Sequence, residues 1–291
     1  MSKMNPLAKY TKIEEIFVKL ASNNVVKYKP EVLKSIKLGV CARAARDEIM
    51  LNTPDALIGG DAIIKVIENC VPGIEDAGEL FVNDVEQLLI AIKVASKEED
   101  YEIQTKCPEC GHEGAFHRNL QNLLDTMTYF DKQPIIELVN GLKVYFKPYT
   151  WNDYSDFGQR MFQEQKKSEM IDLIEGDDDE STEQKKKMFT EVFEAMTQLN
   201  FDMIVKSIEK IETPDGDIVD SAEFILEWVS SLPKTTLKEV REASDNLQEI
   251  GISHTMEVQC SECDHEWEID KLRYDPAHFF GFSFSLPSQK K

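Results

Sequence analysis

Four of the six cysteines in this 291-residue chain fall into two matching pairs. "KCPECGHEG" carries Cys107 and Cys110, and "QCSECDHEWE" carries Cys260 and Cys263. Two thiolates separated by two residues can face one ion from a tight turn. Structural zinc is tetrahedral and commonly takes four such ligands. Each pair is therefore half a site. The spacing points to one structural Zn2+ per chain, bound by Cys107, Cys110, Cys260 and Cys263. Gly111 and Asp264 follow the two knuckles, where a left-handed backbone is often needed.

Other uses of these residues have to be weighed. His112 and His265 could each join the adjacent pair to make two separate sites, although C-x-x-C-x-H is a cramped geometry. His117 could join the first pair. A redox C-x-x-C expects a helix to begin at the motif, and "CPECGHEG" is poor helix-start sequence. A catalytic zinc keeps a position open for water or substrate, and four thiolates leave none.

Little else in the chain has the pattern of chemistry. It contains no G-x-G-x-x-G, phosphate-binding loop, H-E-x-x-H or G-x-S-x-G, so no enzyme is expected. His278 lies among aromatics in "DPAHFFGFSFSLP" and reads as a packing residue; that aromatic segment reads as a closing strand or a docking segment. Lys and Arg number 33 against 54 Asp and Glu, a net charge of -21. Such a surface repels phosphate backbones and disfavours generic nucleic-acid binding. It favours basic protein partners. No apolar run is long enough to span a membrane, and the N-terminus lacks the apolar core of a secretory signal. In the reducing compartment this implies, paired cysteines favour metal over disulfides. Cys41 and Cys70 read as small core residues.

The knuckles need elements to position them. "IFVKLASNNVVKY" reads as strand, Asn-Asn turn and strand, and "LGVCARAARDEIML" as a helix. "GDAIIKVIENCV" is a helix with Asp61 as N-cap. "VNDVEQLLIAIKVAS" is an amphipathic helix, and "YEIQT" is a strand feeding the first knuckle. "IIELVNGLKVYFKP" is a hairpin turning at Asn140-Gly141. "YTWNDYSDFGQRMFQEQ" is a helix entered through Thr150 or Asn152, and the charged stretch 175–187 is a surface loop. Helical patterns return in "MFTEVFEAMTQLNFDMIVKSIEKI", "DSAEFILEWVSSL" and "TTLKEVREASDNLQEI". "HTMEVQC" alternates into the second knuckle.

The two halves share an order of hairpin, helices, strand and C-x-x-C. "DAIIKVIE" and "DMIVKSIE" agree at five of eight positions. The expected fold is α+β, mainly helical with short β-hairpins. An internal duplication brings the knuckles together as a split zinc ribbon. Residues 1–130 form the first half, with the N-terminal hairpin and first knuckle. Residues 131–291 form the second, with the second hairpin, the acidic loop, the second knuckle and the aromatic C-terminus.

"NDVEQLLIAIKVASKEEDYEIQTKCPECG" resembles the helix, strand and knuckle of T4-type phage baseplate hub proteins. "IELVNGLKVYFKPYTWND" is similar to that family's Asn-Gly hairpin and Thr-led helix. The resemblance spans about Phe17 to Asp153, with a weaker echo at the C-terminus. It implies a non-enzymatic component of the contractile-tail hub, or a tail assembly factor. Other tail, hub or tape-measure proteins would be its partners. The chain would act in the host cytoplasm during assembly, or persist in the baseplate of the virion. The rival reading is a zinc-ribbon adaptor in transcription or nucleic-acid machinery.

Overall fold

The knuckles are positioned by a nearly all-buried helix and the strands laid upon it. The computed structural model describes residues 13–33, 35, 37–51, 60–172, 179–269 and 272. It has an α+β fold with small antiparallel sheets and, among the described residues, eight helices. No helix among those residues is long and apolar enough to cross a membrane. The aromatic C-terminal segment, His278 and residues 173–178 of the acidic stretch lie outside the described residues.

Contacts divide the chain into two units, at 131/132 and again at 248/249. The expected division placed everything after 130 in one half. Instead, the chain from Glu249 onward groups with the segment ending at Asp131, so both knuckles belong to one unit.

In that unit, β1 (Glu14–Lys19) pairs antiparallel with β2 (Lys37–Cys41). The Asn-Asn turn is present, with Asn23 and Asn24 both at positive φ. The strand expected directly after it is not. Val26 is buried there, and Tyr28 stacks on Phe81 and donates from its hydroxyl to Asp84 Oδ2 at 2.6 Å. These residues dock on a helix N-terminus instead of pairing. The partner is "KLGVC", most of which lies in the stretch whose spacing predicts a helix. It buries Leu38 and Val40 on alternate positions, and α1 (Ala45–Leu51) starts only afterwards.

Helix α2 (Asp61–Cys70) is entered through Gly60, at φ 77. Asp61 makes no cap hydrogen bond and contributes only a favourable charge in the first turn. Helix α3 (Val82–Ala95) departs from the amphipathic expectation, because twelve of its fourteen residues are buried. Its polar residues are spent on backbone. Asp84 Oδ1 accepts the Ser22 amide at 3.0 Å, Gln87 Oε1 accepts the Ala21 amide at 3.0 Å, and Gln87 Nε2 donates to the Lys19 carbonyl at 2.8 Å. Burial pushes the Asp84 carboxyl above its ordinary range, while its hydrogen bonds from Ser22 and Tyr28 oppose the rise. Leu88, Leu89, Ile90 and Ile92 are fully buried, each contributing about 1.5–3 kcal/mol of transfer free energy. Strands β3 (Asp100–Lys106) and β4 (Glu113–Asn119) follow, then α4 (Leu120–Asp125), capped by the Asn119 side chain.

The second unit, Lys132–Gln248, holds a sheet of order β5-β6-β7-β8. β5 (Ile135–Glu137) and β6 (Lys143–Phe146) make the expected hairpin, but only Gly141 takes positive φ. Helix α5 (Trp151–Asp172) is entered through Thr150, whose hydroxyl accepts the Asp153 amide at 3.1 Å while Asp153 Oδ2 accepts the Thr150 hydroxyl at 2.9 Å. Helix α6 (Asp179–Ser207) begins inside the stretch expected to be an acidic loop, so 179–187 is helical. Glu, Gln and Lys are strong helix formers, and a lack of apolar residues does not prevent a helix. Strand β7 (Ile208–Glu212) takes residues read as the end of that helix, and β8 (Ile218–Val219) returns through Pro214-Asp215-Gly216. Helices α7 (Ala222–Ser230) and α8 (Lys234–Asn246) complete the unit.

The octapeptides behind the duplication reading occupy different elements. Asp61 opens α2, whereas Asp202 lies near the end of α6 and the matched Ile208 and Glu209 are already strand.

Candidate metal centre

Two hairpins build the site. β3 and β4 pair in unbroken register from Asp100 opposite Asn119 to Lys106 opposite Glu113, with alternate residues half-buried. The first knuckle closes this hairpin. The Cys107 amide donates to the His112 carbonyl at 2.9 Å, and the Gly111 amide to the Cys107 carbonyl at 2.9 Å. β9 (Met256–Gln259) and β10 (Glu266–Ile269) carry the second knuckle. There the Cys260 amide donates to His265 at 2.9 Å and the Asp264 amide to Cys260 at 3.1 Å. Gly111 sits at φ 75 and Asp264 at φ 57, so the two turns share their bonding and their left-handed residue.

The hairpins meet through side chains and through the segment that leads into β9. Phe116 of β4 packs edge-on against Trp267 of β10, with ring centroids 5.4 Å apart, and His265 stacks on the same indole. Before β9, Asn83 Nδ2 donates to the Ile250 carbonyl at 2.6 Å. The Thr128 amide donates to the Gly251 carbonyl at 2.8 Å, and the Gly251 amide to Thr128 Oγ1 at 3.0 Å. His254 Nε2 lies 3.0 Å from Glu86 Oε2, and Arg118 donates to the Thr255 carbonyl. These contacts fix where β9 starts. Isolated polar residues such as these leave no periodicity in the sequence. Gly251 sits among them at φ 115, a backbone conformation that favours glycine.

The structure brings together Cys107, Cys110, Cys260 and Cys263, whose sulfurs all lie within 4.8 Å of one another. Cys107 Sγ is 3.7 Å from Cys263 Sγ, and Cys110 Sγ is 3.6 Å from Cys260 Sγ. A sulfur tetrahedron around zinc at about 2.3 Å has edges of about 3.8 Å. A disulfide would need about 2.05 Å. All four cysteines are free, and their spacing can hold a metal ion. Cys107 and Cys260 are buried; Cys110 and Cys263 face solvent.

Crowding four thiols spreads their acidities. Burial pushes Cys107 up, but the amides of Cys110 and Glu109, with the neighbouring sulfurs, outweigh it and bring the thiol down to about 7. The His265 amide pulls Cys263 down, yet burial and the other three sulfurs push it up to about 12. The Glu262 amide leads in lowering Cys260, against burial. Thiolates at this spacing would repel one another, and a cation held among them would offset that charge.

Among the described residues, no histidine belongs to the cluster. His117 Nδ1 lies 2.7 Å from Asp100 Oδ2 on the exposed face of its hairpin, and His112 is exposed. Cys41 and Cys70 are buried apart from the site.

The arrangement is that of a closed four-thiol centre joining two β-hairpins. Its four sulfurs are close enough together to hold one metal ion. The chain matches the family described as T4 bacteriophage base plate protein over residues 13–281, most of its length, and belongs to that family. Neither the curated proteins nor the solved structures gave a significant match.

Proposed function

We propose that this base plate protein is a non-enzymatic component of the tail hub or of its assembly, stapled by one structural zinc. Cys107, Cys110, Cys260 and Cys263 would bind the ion and complete a split zinc ribbon. The observation that carries this reading is the convergence of four sulfurs from hairpins 156 residues apart in sequence. Bound zinc would add its binding free energy to folding. The hairpins need such help, because an isolated two-stranded hairpin is marginal in water.

The surface supports protein partners. Glu257 stands directly opposite Glu268 on β9 and β10, both exposed. Like charges across a ladder repel, and a basic partner would relieve them. With a net charge of -21, the chain suits docking to basic surfaces of other tail, hub or tape-measure proteins. Assembly would take place in the host cytoplasm.

The test is phage production with Cys260→Ser in place of the natural chain. Tails should fail or fall steeply in yield, and mass spectrometry should find the natural chain in finished base plates or in their assembly intermediates. Tails at normal yield from the variant would remove the role of the staple. Absence of the chain from both particle and intermediates would overturn the hub and assembly reading.

A further inference from the structure

The four cysteines also form two ready-made pairs for oxidation, and the pairs run between the hairpins. Cys263 contacts Cys107 at 3.7 Å, and Cys110 contacts Cys260 at 3.6 Å. Each pair joins one exposed residue, Cys263 or Cys110, to one buried residue, Cys107 or Cys260. A small oxidant therefore meets one member while the other waits in contact behind it. We propose that peroxide-class oxidants convert the metal clasp into a covalent one, with disulfides Cys107–Cys263 and Cys110–Cys260. The inference rests on the four-cysteine reading of the site.

The chemistry balances pair by pair. The exposed sulfur attacks one peroxide oxygen, the O–O bond breaks, and a sulfenic acid and hydroxide form. The buried sulfur then attacks the sulfenic sulfur. The S–S bond forms, hydroxide leaves, and both hydroxides take protons to become water. Each disulfide thus oxidises two thiols and reduces one hydrogen peroxide to two waters. Two turnovers consume all four sulfurs and free the zinc as Zn2+. Closing from contact to the bonded distance needs a movement of about 1.6 Å.

The consequence is specific. Loss of the ion by oxidation would leave the β3–β4 and β9–β10 hairpins joined, whereas loss by chelation would leave them free to part. A protein that leaves a reducing cytoplasm for an oxidising medium would keep this connection.

The experiment treats the purified full-length chain with two equivalents of hydrogen peroxide per chain, after its zinc content has been measured. A chromogenic chelator reads zinc release, and a non-reducing digest reads disulfides. The expected result is release of about one zinc, with the peptide holding Cys107 and Cys110 linked to the one holding Cys260 and Cys263. Cys107→Ser should keep the link through Cys110 and Cys260, and Cys110→Ser the link through Cys107 and Cys263. Disulfides closed within each knuckle, or thiols oxidised without linkage, overturn the proposal. Linkage in a preparation that held no zinc supports the sulfur pairing and overturns the zinc reading alone.

Discussion

Replacing Asn83 with Ala probes how the second knuckle reaches the first. Asn83 is buried on α3 and donates at 2.6 Å to the Ile250 carbonyl, at the point where the chain enters the segment leading to β9. Removing the donor leaves a half-buried carbonyl short of a partner, at a cost of about 1–2 kcal/mol. The bonds between Thr128 and Gly251 remain, so the segment should loosen without detaching. Local opening then becomes about 5–30 times more frequent. Amide hydrogen exchange on the zinc-loaded full chain should show that acceleration over 249–258, with β5 to β8 unchanged. Chelating the zinc from the variant should accelerate exchange further, and by more than the two separate effects combined, because both contacts hold the same segment. Exchange over 249–258 equal to that of the natural chain would refute the idea that this clamp delivers the knuckle.

Other perturbations test neighbouring parts of the account. Cys260→Ser should lose zinc and raise exchange at the distant Cys107–His112 turn; an unaltered first knuckle would mean that the pairs do not share a metal. The Glu86 carboxylate raises the pKa of His254, against the effect of burial. Stability from this pair should be full below the ordinary histidine range and lost as pH rises through the raised folded value. His254→Gln should flatten that dependence in denaturation midpoints taken across pH, and a natural chain that gains stability over the same rise would contradict it. Gly141→Ala places a side chain at φ 81 with its Cβ 3.1 Å from Pro214 Cγ. It should cost about 1–2 kcal/mol, measurable as a lowered melting transition of the second unit.

What the sequence disclosed is mostly local. The Asn-Gly hairpin, the Thr150 cap, the strand before Cys107 and the two knuckles each depend on a few adjacent residues. Their structures follow from turn chemistry and alternation. The partner of β1 was not legible, because Leu38 and Val40 suit a strand only when α3 lies beneath them. Asn83, Asp84 and Gln87 lie in a stretch whose spacing predicts an amphipathic helix. They are buried because backbone groups distant in sequence come to meet them, and such partners leave no periodicity. The same blindness hid the return of the chain at Glu249. A discontinuous unit is written in scattered side-chain-to-backbone bonds, not in composition. At the candidate site, the four cysteines stood out by type and spacing, while the clamp that aligns them did not.

The central claim is that the two knuckles share one ion. Zinc K-edge X-ray absorption on the quantified, as-purified full chain tests it most directly. The account predicts one zinc per chain with four sulfur neighbours at about 2.3 Å and no nitrogen. Two zincs per chain, mixed sulfur and nitrogen ligation, or no zinc at all would contradict it.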